Sequence, residues 1–85
     1  MPTISTFYGI LIRMFFNDHA PPHFHAWYGD FEAIDLSTLE VSQGQLPRRA
    51  LSLVQEWAII HREELLEDWR LCRENNLPAK IDPLP

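Results

Sequence analysis

The first 44 residues alternate short apolar runs with turn signals, and this spacing constrains the fold more than any other feature. Asn-Asp and a double proline occupy positions within 17–22, and Gly-Asp follows at 29–30. Such residues favour turns, and proline cannot donate a hydrogen bond to a strand ladder. The links are too short for a parallel crossover, which takes about a dozen residues or more. An antiparallel sheet is therefore predicted.

The predicted strands are runs of apolar residues at 9–16, 23–28, 31–36 and 39–43, the last ending at Gly44. The first run is apolar on both faces, which suits a central strand. The third run alternates apolar and polar residues, as a strand with one buried face does.

The second half of the chain has a helical pattern. Pro47 suits a first helical turn, and from Ala50 to Cys72 apolar residues recur every three or four positions. A continuous helix over 48–74 would be about 40 Å long, whereas a domain of this size has a radius of gyration of about 12 Å. Either the helix breaks near 60–64, or its end packs on a second subunit. We favour a break.

The predicted fold class is α+β, with an antiparallel sheet of three to four strands followed by a long C-terminal helix or helix pair on one face. We expect a single domain over 1–85, with a β-rich half at 1–46, a helical half at 47–75 and an extended tail at 76–85. The expected core joins helix residues to strand residues: Val54, Trp57, Leu65 and Trp69 with Ile10, Ile12, Met14 and Phe24.

Composition excludes several classes of function. The net charge is −5 and Lys80 is the one lysine, which argues against a general affinity for nucleic acid. Cys72 is the one cysteine, so neither a disulfide framework nor a cysteine-based zinc site is available; we expect it to be a small buried residue. No apolar stretch approaches the roughly 20 residues of a membrane span. A cytoplasmic protein is expected.

Three histidines lie within seven positions in the segment HAPPHFH, at 19, 23 and 25. Side chains alternate along a strand, so His23 and His25 share a face, with Cα atoms about 6 to 7 Å apart. That separation allows both rings to bind one divalent metal ion. The predicted metal ligands are His19, His23 and His25. Further ligands to consider are Glu32, Asp35 and His61; the alternative is that these histidines are polar strand residues beside a turn.

Acid–base chemistry is the second hypothesis for this segment. Imidazole titrates near pH 6.5, so His23 and His25 can exchange protons at neutral pH, with Arg13 as a third catalytic residue. Arg48 and Arg49 begin the predicted helix, where backbone N–H groups favour an anion, and they are candidate phosphate ligands. The alternative is a solvated helix start, with Arg13 paired to a neighbouring carboxylate.

Four stretches of the sequence resemble the DUF4160 family of small bacterial domains of unknown function: MPTI, YGILIRMFF, NDHAPPHFHAWYGDFEA and HREELLEDW. The positions that match the most distinctive run are Pro21, Pro22, His23, His25, Gly29, Glu32 and Ala33. The resemblance implies a protein partner encoded by a neighbouring gene, in pairs similar to toxin–antitoxin modules. By analogy it also implies an RNA-directed activity. It supplies no catalytic residues to carry over.

Two classes of function follow. The first hypothesis is a protein-interaction component of a toxin–antitoxin-like two-gene module. The second is a small hydrolase or nuclease that uses the histidines at 19, 23 and 25, or a plain metal-binding module with a divalent metal as its cofactor. A homodimer and an RNA partner are the other partners considered, and no membrane is expected. Both classes, enzyme and interaction protein, stay open at this point.

Overall fold

A computed structural model describes residues 2–34, 39–41 and 43–85. Five antiparallel strands form one sheet in chain order, and two helices follow. The elements are β1 (Thr3–Phe7), β2 (Ile10–Arg13), β3 (His25–Tyr28), β4 (Phe31–Ile34), β5 (Gln43–Gly44), α1 (Arg48–Ile60) and α2 (Arg62–Arg73). The predicted α+β class is confirmed, with five strands where three to four were expected.

The strands differ from the prediction at several points. β2 and β3 are shorter than the predicted runs 9–16 and 23–28, so that His23 precedes β3, and residues 35–36 of the third run lie outside the described residues. No strand is predicted before residue 9, yet β1 (Thr3–Phe7) pairs with β2, with one register shift between Thr3 and Ser5. The last strand was predicted at 39–43, but residues 39–41 are not in a strand and β5 is Gln43–Gly44, paired with Ile34 and Ala33. The short pairing follows from Gly44, whose positive φ of 79° ends the extended run.

The core lies on one face of the sheet, beneath the helices. Ile12 of β2, Ala26 of β3 and Ala33 of β4 are register partners, and all are buried on this face. Trp57 of α1 is fully buried, and its indole N–H donates to the carbonyl oxygen of Asp82 at 2.8 Å. All of the core residues expected from the sequence are buried.

The helical half is broken at His61, as favoured from the sequence. α1 ends at Ile60 and α2 begins at Arg62, while His61 itself has φ −110° and ψ 26°. Glu63 and Glu64 occupy the first turn of α2, where carboxylates interact favourably with the helix dipole. None of the helices in the described ranges is long and apolar enough to cross a membrane.

The C-terminal segment returns to the start of the chain. The backbone N–H of Ile81 donates to the carbonyl oxygen of Ile4 at 2.8 Å, and that of Ala79 donates to Asp68 Oδ1 at 2.9 Å. Ile81 and Leu84 are buried. The tail therefore belongs to the core and holds α2 against β1.

Candidate metal centre

The loop between β2 and β3, residues 14–24, carries two of the histidines. Its path is fixed by the second helix, because the backbone N–H of Asn17 donates to the carbonyl oxygen of Cys72 at 2.9 Å. His23 lies near the end of the loop, and its ring centre is 5.1 Å from that of Trp69 in α2. His25 opens β3, with Phe15 packed edge-on at 4.4 Å.

Three side chains converge where this loop meets β3. One ligand atom each from Asp18, His23 and His25 lies within 4.8 Å of the other two. Asp18 Oδ2 is 2.8 Å from His23 Nε2 and 3.7 Å from His25 Nε2. The imidazole side chains are 10% and 13% exposed, so the cluster is largely enclosed.

His23 is oriented by the proline turn that precedes it. Its Nδ1 lies 2.8 Å from the carbonyl oxygen of Pro21. A carbonyl oxygen only accepts hydrogen bonds, so Nδ1 carries the proton and donates. In the neutral ring Nε2 then presents a lone pair to the carboxylate of Asp18, and two acceptors repel unless a proton or a metal ion lies between them.

His25 is oriented by the neighbouring strand. Its Nδ1 lies 2.8 Å from Glu32 Oε2, a carboxylate oxygen that accepts the Nδ1 proton. Its Nε2 is buried, and among the described residues no group forms a hydrogen bond with it. A buried polar atom without a partner is costly in a folded protein. The lone pair of this nitrogen faces Asp18, with 3.7 Å between Nε2 and Oδ2.

Asp18 is held in its charged form. Burial opposes ionisation, but a hydrogen bond from the backbone N–H of His19 and the interaction with His23 outweigh it. The pKa of Asp18 therefore lies below its ordinary value of 3.8, and the carboxylate is ionised at neutral pH.

This donor set fits a divalent transition-metal ion. Imidazole nitrogens and a carboxylate oxygen are ligands of zinc and of non-haem iron. Ligand atoms about 2.0–2.1 Å from a zinc ion lie roughly 3 to 3.5 Å apart, close to the spacings around Asp18. Each imidazole also donates its other N–H to a fixed oxygen, as metal-binding histidines do.

The other predicted ligand, His19, lies at the solvent side of the cluster. Its side chain is 84% exposed, its Nδ1 is 3.0 Å from Asp18 Oδ1, and its ring centre is 5.2 Å from that of His23. It contacts two members of the cluster without belonging to the three convergent donors.

Arg13 lies on the same sheet face as His25, its register partner in β3. Its guanidinium group sits 5.1 Å from the ring centre of Trp27, and Trp27 in turn stacks on His25 at 5.5 Å. Nε of Arg13 donates to Thr3 Oγ1 at 3.3 Å. A positive charge thus lies beside the cluster without touching it.

Arg48 and Arg49 are exposed at the start of α1. Arg49 lines a groove with Tyr8 and Tyr28. Tyr28 ends the strand that His25 begins, about 10 Å along β3 at 3.3 Å per residue. The structure therefore places this arginine at the other end of the sheet from the histidines.

Asp18 is not among the residues predicted from the sequence; it lies five residues before His23 on the far side of the proline turn. Of the further candidate ligands, Glu32 orients His25 rather than joining the three convergent donors. His61 interacts with Glu64 Oε1 at 2.6 Å, and Asp35 lies outside the described residues. An acidic residue directly before HAPPHFH was the available signal.

Comparison with known proteins bears on the family alone. Neither a curated protein nor a solved structure matches the chain. The sequence profile described as domain of unknown function (DUF4160) matches residues 9–70, which include both strands and the loop that carry the cluster. The match spans well over half of the 85 residues, and the chain therefore belongs to the DUF4160 family.

Proposed function

We propose that this protein binds a divalent transition-metal ion through Asp18, His23 and His25. The observation that carries the proposal is the buried Nε2 of His25, which has no hydrogen-bond partner among the described residues and faces an ionised carboxylate. A second proton on His23 would satisfy the contact between His23 and Asp18. It would leave His25 unsatisfied, whereas a metal ion satisfies all three donor atoms.

The reaction class that suits this site is hydrolysis. An ion with three protein ligands keeps a coordination position open for water, and activation of that water is the chemistry it supplies. Glu32 would hold His25 in the tautomer that binds through Nε2, and Pro21 would do so for His23. The positive charge of Arg13 on the same sheet face favours an anionic substrate, and a phosphodiester is the class we propose.

The experiment is metal analysis of the protein purified without a histidine tag, followed by calorimetric titration with zinc. We expect one ion per chain for the wild type and for His61→Ala, whose ring lies outside the cluster. His25→Ala and Asp18→Ala should lose at least 100-fold in affinity. A wild type that binds no zinc at micromolar concentration, or equal losses in His61→Ala, would contradict the proposal.

A second candidate function is a protein-interaction component of a toxin–antitoxin-like two-gene module. It is favoured by apolar side chains at the end of α1, where Ile59 and Ile60 are 64% and 61% exposed. Adjacent exposed isoleucines are typical of contact surfaces. Co-expression with the product of the neighbouring gene, followed by light scattering, tests it; separate elution of two monomers would count against it.

A further inference from the structure

A groove of about 260 Å³ separates α2 from the C-terminal segment. Its walls are four carboxylate side chains and two aliphatic ones: Glu63, Glu64, Glu67, Asp68, Ala79 and Ile81. It lies apart from the histidine cluster and has no part in the metal site.

One carboxylate oxygen of Asp68, in the wall of this groove, lacks a hydrogen-bond donor. The residue is 1% exposed, and its Oδ1 accepts the backbone N–H of Ala79 at 2.9 Å. Its Oδ2 is also buried, and within the described part of the chain no group donates to it. A buried carboxylate oxygen without a donor is unfavourable, and a cationic donor relieves it best.

The protein's own cations do not meet this requirement. Arg70 pairs with Glu67 and Glu74, and the ammonium group of Lys80 donates to the carbonyl oxygen of Thr3 at 2.7 Å. Burial and the charges of Glu64 and Glu67 together raise the pKa of Asp68 to about 6, against the opposing effect of the hydrogen bond from Ala79. At neutral pH, which is above this pKa, Asp68 is still mostly ionised, and with the three glutamates it makes the groove negative.

We propose that the groove binds a lysine or arginine side chain of a protein partner. Such side chains combine an aliphatic stem with a cationic head, which matches aliphatic walls at Ala79 and Ile81 and carboxylates at Glu63 and Asp68. The exposed Ile59 and Ile60 lie three to four positions before Glu63, so the matching partner segment is basic and amphipathic. This inference rests on the second candidate function and names the chemistry of its partner.

The test uses the full chain and a fluorescent 18-residue amphipathic helix of leucine and lysine, with binding followed by anisotropy. We expect Glu63→Gln and Asp68→Asn each to weaken binding at least fivefold. Asp30→Asn, which removes one charge from the exposed turn before β4, should change it less than twofold. The same peptide with glutamine in place of lysine should not bind.

Equal losses of peptide affinity in Glu63→Gln and Asp30→Asn would contradict binding in the groove, because the change in net charge alone would explain them. Displacement of the peptide by millimolar calcium, with calcium bound in its absence, would overturn it in favour of a metal site. If the complex with the neighbouring gene product still forms in Glu63→Gln and Asp68→Asn, the groove is not its binding site. The proposed interaction function would then stand without the groove. Absence of that complex in the wild type contradicts the function itself.

Discussion

His25 illustrates how neighbouring residues fix the chemistry of a single ring. Glu32 accepts the Nδ1 proton, Phe15 and Trp27 fix the plane of the imidazole, and Nε2 is left facing Asp18. The ring has one available tautomer and one available direction for its lone pair. It is therefore preorganised for a ligand.

Removal of Glu32 tests this preorganisation. In Glu32→Ala the imidazole of His25 loses its acceptor, and zinc affinity should fall by about 10- to 100-fold. Competition with a chromophoric chelator measures the change. Glu56→Ala, at an exposed position of α1, is the control and should bind as the wild type does. Unchanged affinity in Glu32→Ala would mean that His25 needs no orienting partner.

At this scale the sequence predicts the histidine pair but not its third member. The alternation expected along a strand predicts that His23 and His25 lie on one side, and their ring centres are 5.4 Å apart, although His23 lies in the loop before β3. The position of Asp18 depends on the path of the loop, which includes a positive φ of 52° at Asn17 and the hydrogen bond from that residue to α2. Contacts so distant in sequence leave no periodic signal.

At the scale of elements, the helices were predictable from their apolar repeat, whereas the first strand, which lacks a clear pattern, was not. The helical repeat and the acidic pair at Glu63 and Glu64 predict two helices with a break between them, and the break lies at His61. β1 carries polar residues at Thr3, Ser5 and Thr6, and it forms a strand because β2 pairs with it. Tertiary pairing decided its structure, which propensity alone does not reveal.

Gly44 is expected to be the least replaceable glycine. A Cβ at this position would overlap the carbonyl oxygen of Glu32, and φ is +79°. Gly29 also has positive φ, yet a Cβ there meets nothing within 4 Å. Gly29→Ala should therefore cost about 1–2 kcal/mol of unfolding free energy, and Gly44→Ala clearly more, by urea titration. The same overlap displaces Glu32, which holds His25, so zinc affinity should fall in Gly44→Ala and not in Gly29→Ala. Equal zinc affinities in the two variants would contradict this expectation.

The C-terminal segment should behave as a core element. Ile81 is buried and bonded to β1 through its backbone, so Ile81→Ala should lower the unfolding free energy by about 2–4 kcal/mol. Leu77 is exposed, and Leu77→Ala should lie within about 0.5 kcal/mol of the wild type. Thermal and urea unfolding measure both. A small effect of Ile81→Ala would show that the tail is an appendage.

At the scale of the whole molecule, one face of the sheet supplies the core while the other carries Arg13, Trp27 and His25. The predicted core was largely correct because apolar periodicity selects it directly. Two further contributors, Ile81 and Leu84, lie in a proline-rich tail without periodicity. The burial of Asp68 follows from that same tail.

Asp68 should make global stability depend on pH. Its pKa is about 6 in the folded protein against an ordinary 3.8, so the folded state binds the proton more tightly. Its favourable contribution is present in full below pH 3.8 and is lost as pH rises through about 6. The unfolding free energy of Asp68→Asn, minus that of the wild type, should rise by up to about 3 kcal/mol between pH 4 and pH 7.

Urea titrations at several pH values measure this difference in unfolding free energy. The test is how the difference changes with pH, so a constant stabilising or destabilising effect of the substitution does not affect it. Glu63→Gln serves as the control, because Glu63 is exposed in the first turn of α2 and should show a much smaller slope. If the difference in unfolding free energy between Asp68→Asn and the wild type is constant from pH 4 to pH 7, the raised pKa of Asp68 is contradicted.

Two indole rings border the histidine cluster, and this gives the molecule an optical readout of its own. Trp27 stacks on His25 at 5.5 Å, and Trp69 lies 5.1 Å from His23, whereas Trp57 sits in the core against Phe7. A paramagnetic ion such as cobalt(II) captured between the imidazoles would quench the emission of the two bordering indoles more than that of the third. Occupancy could then be followed in dilute solution without any label.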